Sequence, residues 1–295
     1  MSETHNGISI IIPAYNEAHG IGQVLEQVAA ITDVLAETMQ TEIIVVDDGS
    51  DDATSEEVKK SPRENITLLR HERNRGYGAS IKSATRQALY DIICITDADA
   101  TYPNEQIINL INTLREKNLD MVVGARIGSE AHIPLIRRPA KWVITMLARY
   151  LTETMIPDLN SGLRVMKKEV VEKFIKILPD GFSLTSTITI AMLTNGYRVE
   201  YIPINYYKRV GKSKIRPIHD TLNFTQLIIR TVMYFNPLKV FLPVSLPLIL
   251  FGGLMIIFQA IYLRNISTVS VIISLGGIQL LAIGMLADLI DKRTS

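Results

Sequence analysis

Residues 240–262 and 266–287 carry no charged side chain, over 23 and 22 positions. At 1.5 Å per residue a helix of either length crosses a hydrocarbon layer about 30 Å thick. Only Leu263-Arg264-Asn265 separates the runs, so the sequence predicts a tight membrane hairpin with both outer ends on one side. Arg230 and Lys239 flank one outer end, and Lys292 and Arg293 the other, while Arg264 alone marks the far turn. The positive-inside bias then sets both chain termini in the cytoplasm. Gly252, Gly253, Gly276, Gly277 and Gly284 suit close helix packing in lipid. Pro243 and Pro247 fall early in the first span, where lost N–H donors cost least. Residues 216–236 space Ile218, Leu222, Leu227, Ile228, Val232 and Phe235 roughly helically among Arg216, His219 and Arg230. An amphipathic helix on the membrane interface is expected there.

The rest of the chain is organised differently. Its 31 Lys and Arg nearly balance 30 Asp and Glu, a net charge of +1 that gives no nucleic-acid signature. The lone cysteine, Cys94, sits in an apolar run and reads as a buried structural thiol. The five histidines are scattered without metal-ligand spacing. The first twenty residues hold Asn16, Glu17 and a Pro-Ala-Tyr turn. They do not resemble a secretory signal, so the N-terminal part is expected in the cytoplasm.

In that part, strand-like and helix-like segments alternate. Short β-rich runs at 8–12, 42–46, 66–69, 92–96 and 121–123 are separated by helical patterns at 20–38, 51–60, 79–89 and 103–117. Continuous apolar strands joined by helices imply a buried, mainly parallel sheet. Ligands of such sheets bind beyond the carboxyl ends of the strands. Pro13-Ala14-Tyr15-Asn16-Glu17, Asp47-Asp48 and Asp97-Ala98-Asp99 each follow a strand directly, so they are expected on one rim. Gly76-x-Gly78 lacks the third glycine of a dinucleotide fingerprint, and no P-loop sequence is present.

Taken in order, Pro13 to Glu17, Asp47-Asp48-Gly49-Ser50 with Thr54, Gly76-Tyr77-Gly78, Asp97-Ala98-Asp99, Ser161-Gly162-Leu163-Arg164 and Gly211-Lys212-Ser213-Lys214 resemble a family 2 glycosyltransferase of GT-A fold. The likeness is to the branch of dolichyl-phosphate mannose synthases and polyprenyl-phosphate glycosyltransferases, and it covers roughly residues 7–216. The resemblance implies a GT-A catalytic domain over 1–215, followed by the interfacial helix and then the hairpin over 237–295. It further implies a UDP- or GDP-linked hexose donor, Mg²⁺ or Mn²⁺, inversion at the anomeric carbon, and a dolichyl or undecaprenyl phosphate acceptor. A homo-oligomer is suggested on the same ground.

Roles follow for individual residues. A hard cation bound by carboxylate oxygens neutralises a departing nucleoside diphosphate, and Asp99 with Asp97 are the expected ligands. Thr101 stands where relatives often carry glutamine, so it is expected to act at most through water. By resemblance, Pro13, Tyr15 and Glu17 line the nucleoside pocket and Asp47 meets the base or ribose. Asp48 is expected to do the same or to cap the helix after it. A phosphate monoester is mostly dianionic at pH 7, so it needs cations more than a strong base. Candidates are Arg126, Arg137, Arg138, Lys141, Arg164, Arg209, Lys212 and Lys214. The resemblance gives Arg126 and Arg137 to the lipid phosphate, with Arg138, Lys141 and Ser161 beside them, and Arg209 and Lys214 to the donor. Asp158 is expected to position the sugar or act as a base. The stretch 206–214 reads as a mobile phosphate-gripping loop. The alternative is a polysaccharide or glycolipid acceptor. Processive synthases of that kind carry Gln-x-x-Arg-Trp, whereas the single tryptophan here, Trp142, follows Lys141.

Overall fold

The computed structural model describes residues 6–127, 146, 149–150, 152–207, 233 and 237–294. Strand and helix alternate as the sequence predicts. β1 (Gly7–Ala14), α1 (Ile21–Leu35), β2 (Gln40–Asp47), α2 (Thr54–Lys59), β3 (Ile66–Arg70) and α3 (Tyr77–Gln87) come first. β4 (Ile92–Ile95), α4 (Gln106–Glu116) and β5 (Met121–Ala125) continue the pattern. Beyond the motifs read from sequence lie β6 (Arg164–Lys167), α5 (Lys168–Phe174), α6 (Leu184–Thr194) and β7 (Val199–Pro203).

The seven strands form one sheet in the order β3-β2-β1-β4-β6-β5-β7. β1, β2, β3 and β4 pair in parallel, as do β5 and β7; β6 alone runs antiparallel to both its neighbours. Period-2 alternation divides the strand side chains between two cores. Ile8, Ile10, Ile12, Ile43 and Val45 pack with Val24 and Val28 of α1 and with Leu110 and Ile111 of α4. Ile11, Ile44, Val46, Ile93 and Ile95 pack on the other face with Ile81 of α3, Val170 of α5 and Ile188 of α6. Cys94 is fully buried in the first core, and burial pushes its thiol well above the usual range, so it is an inert structural thiol.

The hairpin consists of α7 (Leu238–Phe258), which runs on through a π-helical turn (Gln259–Leu263), and α8 (Thr268–Thr294). Arg264 reverses the chain in the left-handed region, at φ 50°. The Gln259 side-chain oxygen accepts from Ser267 N (2.8 Å) and Ser270 Oγ (3.0 Å), closing the turn. Gly252 faces the Ser274 backbone, Gly277 faces Ile249 and Gly284 faces Phe241, each so close that a Cβ would collide. Gly253 and Gly276 face open space. Three of the five glycines therefore make the helix contact that the sequence led us to expect. Leu250, Leu254, Ile261 and Leu286 remain exposed. An apolar surface of this extent marks an interaction or membrane surface, and both helices are long and apolar enough to cross a membrane, which makes them a candidate transmembrane hairpin. Lys239 Nζ at the base of α7 meets Glu153 at 2.7 Å, and Tyr150 donates to the Lys239 carbonyl (3.4 Å). Apart from Met233, the expected interfacial helix lies outside the described residues.

Candidate active site

The carboxyl ends of β1, β2 and β4 meet on one rim. Asp48 N donates to Ala14 O (2.8 Å), and Thr96 N donates to Ile11 O (3.1 Å). β5 delivers Arg126 to that rim, and the loop entering the reversed strand β6 delivers Ser161 and Gly162. The loop after β1 is stitched to the loop after β2. Asn16 N donates to Ser50 Oγ, Glu17 N to Thr54 Oγ1, and Ala18 N to Asp52 Oδ2, at 2.9 to 3.1 Å. Pro13 is buried in β1, while Tyr15 and Glu17 sit half-buried on this stitched loop.

Asp47 and Asp48 correct the sequence reading. Asp47 has no exposed surface. Its Oδ1 accepts from Ser50 N at 2.8 Å and its Oδ2 from Ser55 Oγ. A carboxylate enclosed this way shapes the loop and does not meet a base or ribose. Asp48 does not cap α2. It accepts from Arg75 N (2.9 Å) and Gly76 N (2.7 Å) and bonds His71 Nδ1 (2.6 Å), anchoring the turn into α3.

Asp97 and Asp99 stand half-buried at the β4 exit. The Tyr77 hydroxyl donates to Asp97 Oδ1 at 3.1 Å. Burial, and next the Asp97 charge, push the Tyr77 phenol well above its usual range, so it stays a donor. Gly162 lies against the same carboxylate: a Cβ there would sit 2.7 Å from Asp97 Oδ1. Gly162 N in turn donates to the Tyr102 hydroxyl (2.7 Å). Asp99 Oδ1 accepts from Thr101 N (3.2 Å) and Thr101 Oγ1 (2.6 Å), with Ala100 at φ 55° between them. Thr101 is buried, so it acts on Asp99 and not through water at a metal. Among the described residues, no three His, Cys, Asp or Glu side chains converge to hold a metal ion. Two half-buried carboxylates at the β4 exit, Asp97 and Asp99, fit a hard divalent cation that takes much of its shell from substrate phosphates.

Arg126 and Asp158 come together as a bidentate pair. Nε to Oδ2 is 2.7 Å and Nη2 to Oδ1 is 2.9 Å, and Arg126 N also donates to Asp158 Oδ2 (3.1 Å). Burial disfavours both charges. The pairing outweighs it, raising the guanidinium and holding the carboxyl below the usual carboxylate range. Asp158 is therefore a partner of Arg126, which corrects its expected role as a base. The guanidinium also lies 5.2 Å over the Tyr206 ring, and Tyr206 meets Tyr102 edge-on at 5.4 Å.

Two further expectations fail through burial. Ser161 is enclosed, with its hydroxyl donating to Gly124 O, so it does not reach a lipid phosphate. Among the described residues Arg164 is the largest fully buried side chain, and it donates to Ser161 O, Thr185 O and Thr189 Oγ1. It braces the sheet against α6. Arg137, Arg138, Lys141, Arg209, Lys212 and Lys214 lie outside the described residues. Tyr207, the second residue of the expected gripping loop, donates its N–H to Thr101 O (2.9 Å) beside Asp99. Tyr102 was not singled out from sequence, and Tyr77 and Tyr206 were present only as members of the Gly76–Gly78 motif and the 206–214 stretch, without roles of their own.

The family description "Glycosyl transferase family 2" matches residues 9–175. The chain belongs to glycosyl transferase family 2. A second description, "GtrB C-terminal hairpin", matches residues 236–292. This family 2 chain is 29% identical, over 72% of its length and 89% of the relative's, to the dolichyl-phosphate hexose transferase of Haloferax volcanii. It is 30% identical to the undecaprenyl-phosphate 4-deoxy-4-formamido-L-arabinose transferase of Yersinia enterocolitica, over 63% of this chain and 59% of that one. In fold it is similar to glucosyl-3-phosphoglycerate synthase from Mycobacterium tuberculosis, solved with Mn²⁺, uridine diphosphate and phosphoglyceric acid. The TM-score is 0.59 at 18% identity, covering 77% of this chain and 78% of that one.

Proposed function

We propose that this chain transfers a hexose, with inversion, from a UDP- or GDP-linked donor to a dolichyl or undecaprenyl phosphate at the cytoplasmic face of a membrane. One observation carries the reading. A rim bearing Asp97, Asp99 and Arg126 and an exposed apolar hairpin share one chain, and Lys239 at the base of the hairpin pairs with Glu153, five residues before the Asp158 that holds Arg126. Such a chain works where its acceptor is a lipid. The names of the Haloferax and Yersinia relatives support a polyprenyl phosphate as that acceptor.

In this reading Pro13, Tyr15 and Glu17 border the nucleoside, and Asp97 and Asp99 hold Mg²⁺ or Mn²⁺. The bound cation supplies Lewis-acid stabilisation of the leaving nucleoside diphosphate. Tyr77 fixes the Asp97 carboxylate and Thr101 fixes that of Asp99. Arg126, oriented by Asp158 and Tyr206, faces the acceptor phosphate, with Arg137, Arg138 and Lys141 assigned to the same task. Arg209 and Lys214 are assigned to the donor diphosphate. A dianionic phosphate oxygen attacks the anomeric carbon as its bond to the nucleoside diphosphate breaks. That nucleophile carries no proton to remove, which agrees with Asp158 being paired with Arg126. The exposed hairpin face is also where a second copy would pack.

The test is a transfer assay on detergent-solubilised protein with polyprenyl phosphate, Mg²⁺ or Mn²⁺, and radiolabelled UDP- and GDP-hexoses in turn. Label is expected in the organic phase for one donor, and to be lost with EDTA or Asp99→Ala. Transfer to saccharide or glycolipid acceptors alone would overturn the reading.

A further inference from the structure

Phe182 is exposed over 71% of its surface, at the tip of the loop before α6. Its ring stacks on Tyr77, with centroids 5.5 Å apart and planes 21° apart. The far end of Tyr77 is the hydroxyl that donates to Asp97. A large apolar ring thus stands in solvent one side chain away from the carboxylate at the reaction centre.

The ledge beneath it is rigid. Ala79 N donates to Asp180 O at 3.0 Å, and Lys82 Nζ both donates to Leu178 O (3.1 Å) and pairs with Asp180. Gly76 and Gly78 lie so close to the Asp180 and Pro179 carbonyls that neither position has room for a Cβ. An aromatic held this firmly loses little freedom on meeting a ligand, which is what a preformed contact requires. Aromatic side chains are among the favoured lining groups of small-molecule sites.

We propose that Phe182, backed by Tyr77, is the platform on which the sugar ring of the donor lies. The inference rests on the donor reading above. In that reading the nucleoside borders the loop after β1, and the diphosphate lies at the β4 carboxylates. The next group along the donor is the hexose, and two surfaces lie against the Asp97 carboxylate, Gly162 on β6's entry and the Tyr77–Phe182 stack, of which the stack alone offers an exposed aromatic face. The C–H face of a hexose is apolar and matches an aromatic face, while its hydroxyls point outward to polar groups. Phe182 is then a specificity residue for the sugar and not for the base.

The measurement is calorimetric binding to the full detergent-solubilised chain with Mn²⁺, using UDP-glucose, GDP-mannose, UDP and GDP as probes. Phe182→Ala is expected to weaken the bound nucleotide sugar about tenfold, while the bare nucleotide changes less than twofold. Phe182→Tyr is expected to keep wild-type affinity. Thermal unfolding of each variant, expected unchanged at so exposed a site, removes misfolding as a cause. Equal weakening of nucleotide sugar and bare nucleotide would make Phe182 a base contact and overturn the proposal. Unchanged affinity for both would also overturn it. If the wild type binds none of the four probes, the donor reading itself falls and takes the platform with it.

Discussion

A carboxylate and a guanidinium delivered to one rim by different loops neutralise each other before any substrate arrives. Asp158 and Arg126 are both mostly enclosed, so each needs the other more than a surface pair would. This has a pH consequence. The folded-state pKa of Asp158 lies below its unfolded value, so its contribution is complete above that unfolded value, near pH 4. It is lost as pH falls through the folded value. Asp158→Asn leaves Arg126 without its counter-charge and is expected to cost about 3 kcal/mol at neutral pH. Denaturant melts from pH 7 to pH 3 should show the gap between variant and wild type narrowing as the medium becomes acidic. A gap that stays constant with pH would contradict the pairing. At this same scale the sequence misled about Asp47, Ser161 and Arg164. Residue type announces that a side chain is polar; it does not announce which backbone groups surround it. Arg164 looked like a phosphate ligand, and burial among carbonyls makes it a brace.

At the scale of elements, strands with continuous apolar runs were legible because a parallel sheet buries both their faces. β6 was harder. Its four residues, Arg164–Lys167, carry a charge at each end, and its reversed direction comes from pairing with β4 and β5. α6 is harder still, since Leu184–Thr194 alternates β-branched and polar residues like a strand. Its polar residues can be buried in a helix because Thr187 and Thr189 return their hydroxyls to the carbonyls four residues back, which satisfies them inside the core. Aromatic contacts across loops, such as Tyr206 on Arg126, leave no local pattern at all. The hairpin glycines were legible as a set, and the structure separates them by face. Gly277→Leu sets a side chain against the Ile249 backbone and is expected to push α7 and α8 apart, at a cost of about 1–3 kcal/mol. Gly276→Leu faces open space and is expected to be nearly neutral. Thermal unfolding of the two variants in detergent compares them directly. Equal destabilisation would mean that the helices do not pack through Gly277.

For the whole molecule, the hairpin's contribution to catalysis is expected to be one of place. The sheet domain has its own two cores, and none of the hairpin's residues belongs to either. Among the described residues, the Glu153–Lys239 ion pair and the Tyr150 hydroxyl on Lys239 O link the two parts at the surface, and an exposed ion pair is worth at most about 1 kcal/mol. The catalytic domain is therefore expected to fold and bind nucleotide when residues 237–295 are removed. What it loses is confinement to the surface that holds the acceptor. Tethering of this kind raises the effective concentration of a partner into the millimolar range, a gain of roughly 10²–10⁴ over dilute encounter. The truncated domain should transfer sugar to long-chain polyprenyl phosphate in vesicles at least tenfold more slowly than the full chain. With a short, water-soluble prenyl phosphate the two forms should differ little, because that acceptor reaches either by diffusion. The ratio of the two rates, measured for both forms with one labelled donor, isolates the contribution of place from that of chemistry. A truncated domain equally slow with both acceptors would mean that the hairpin shapes the rim itself and does more than hold the enzyme beside its substrate.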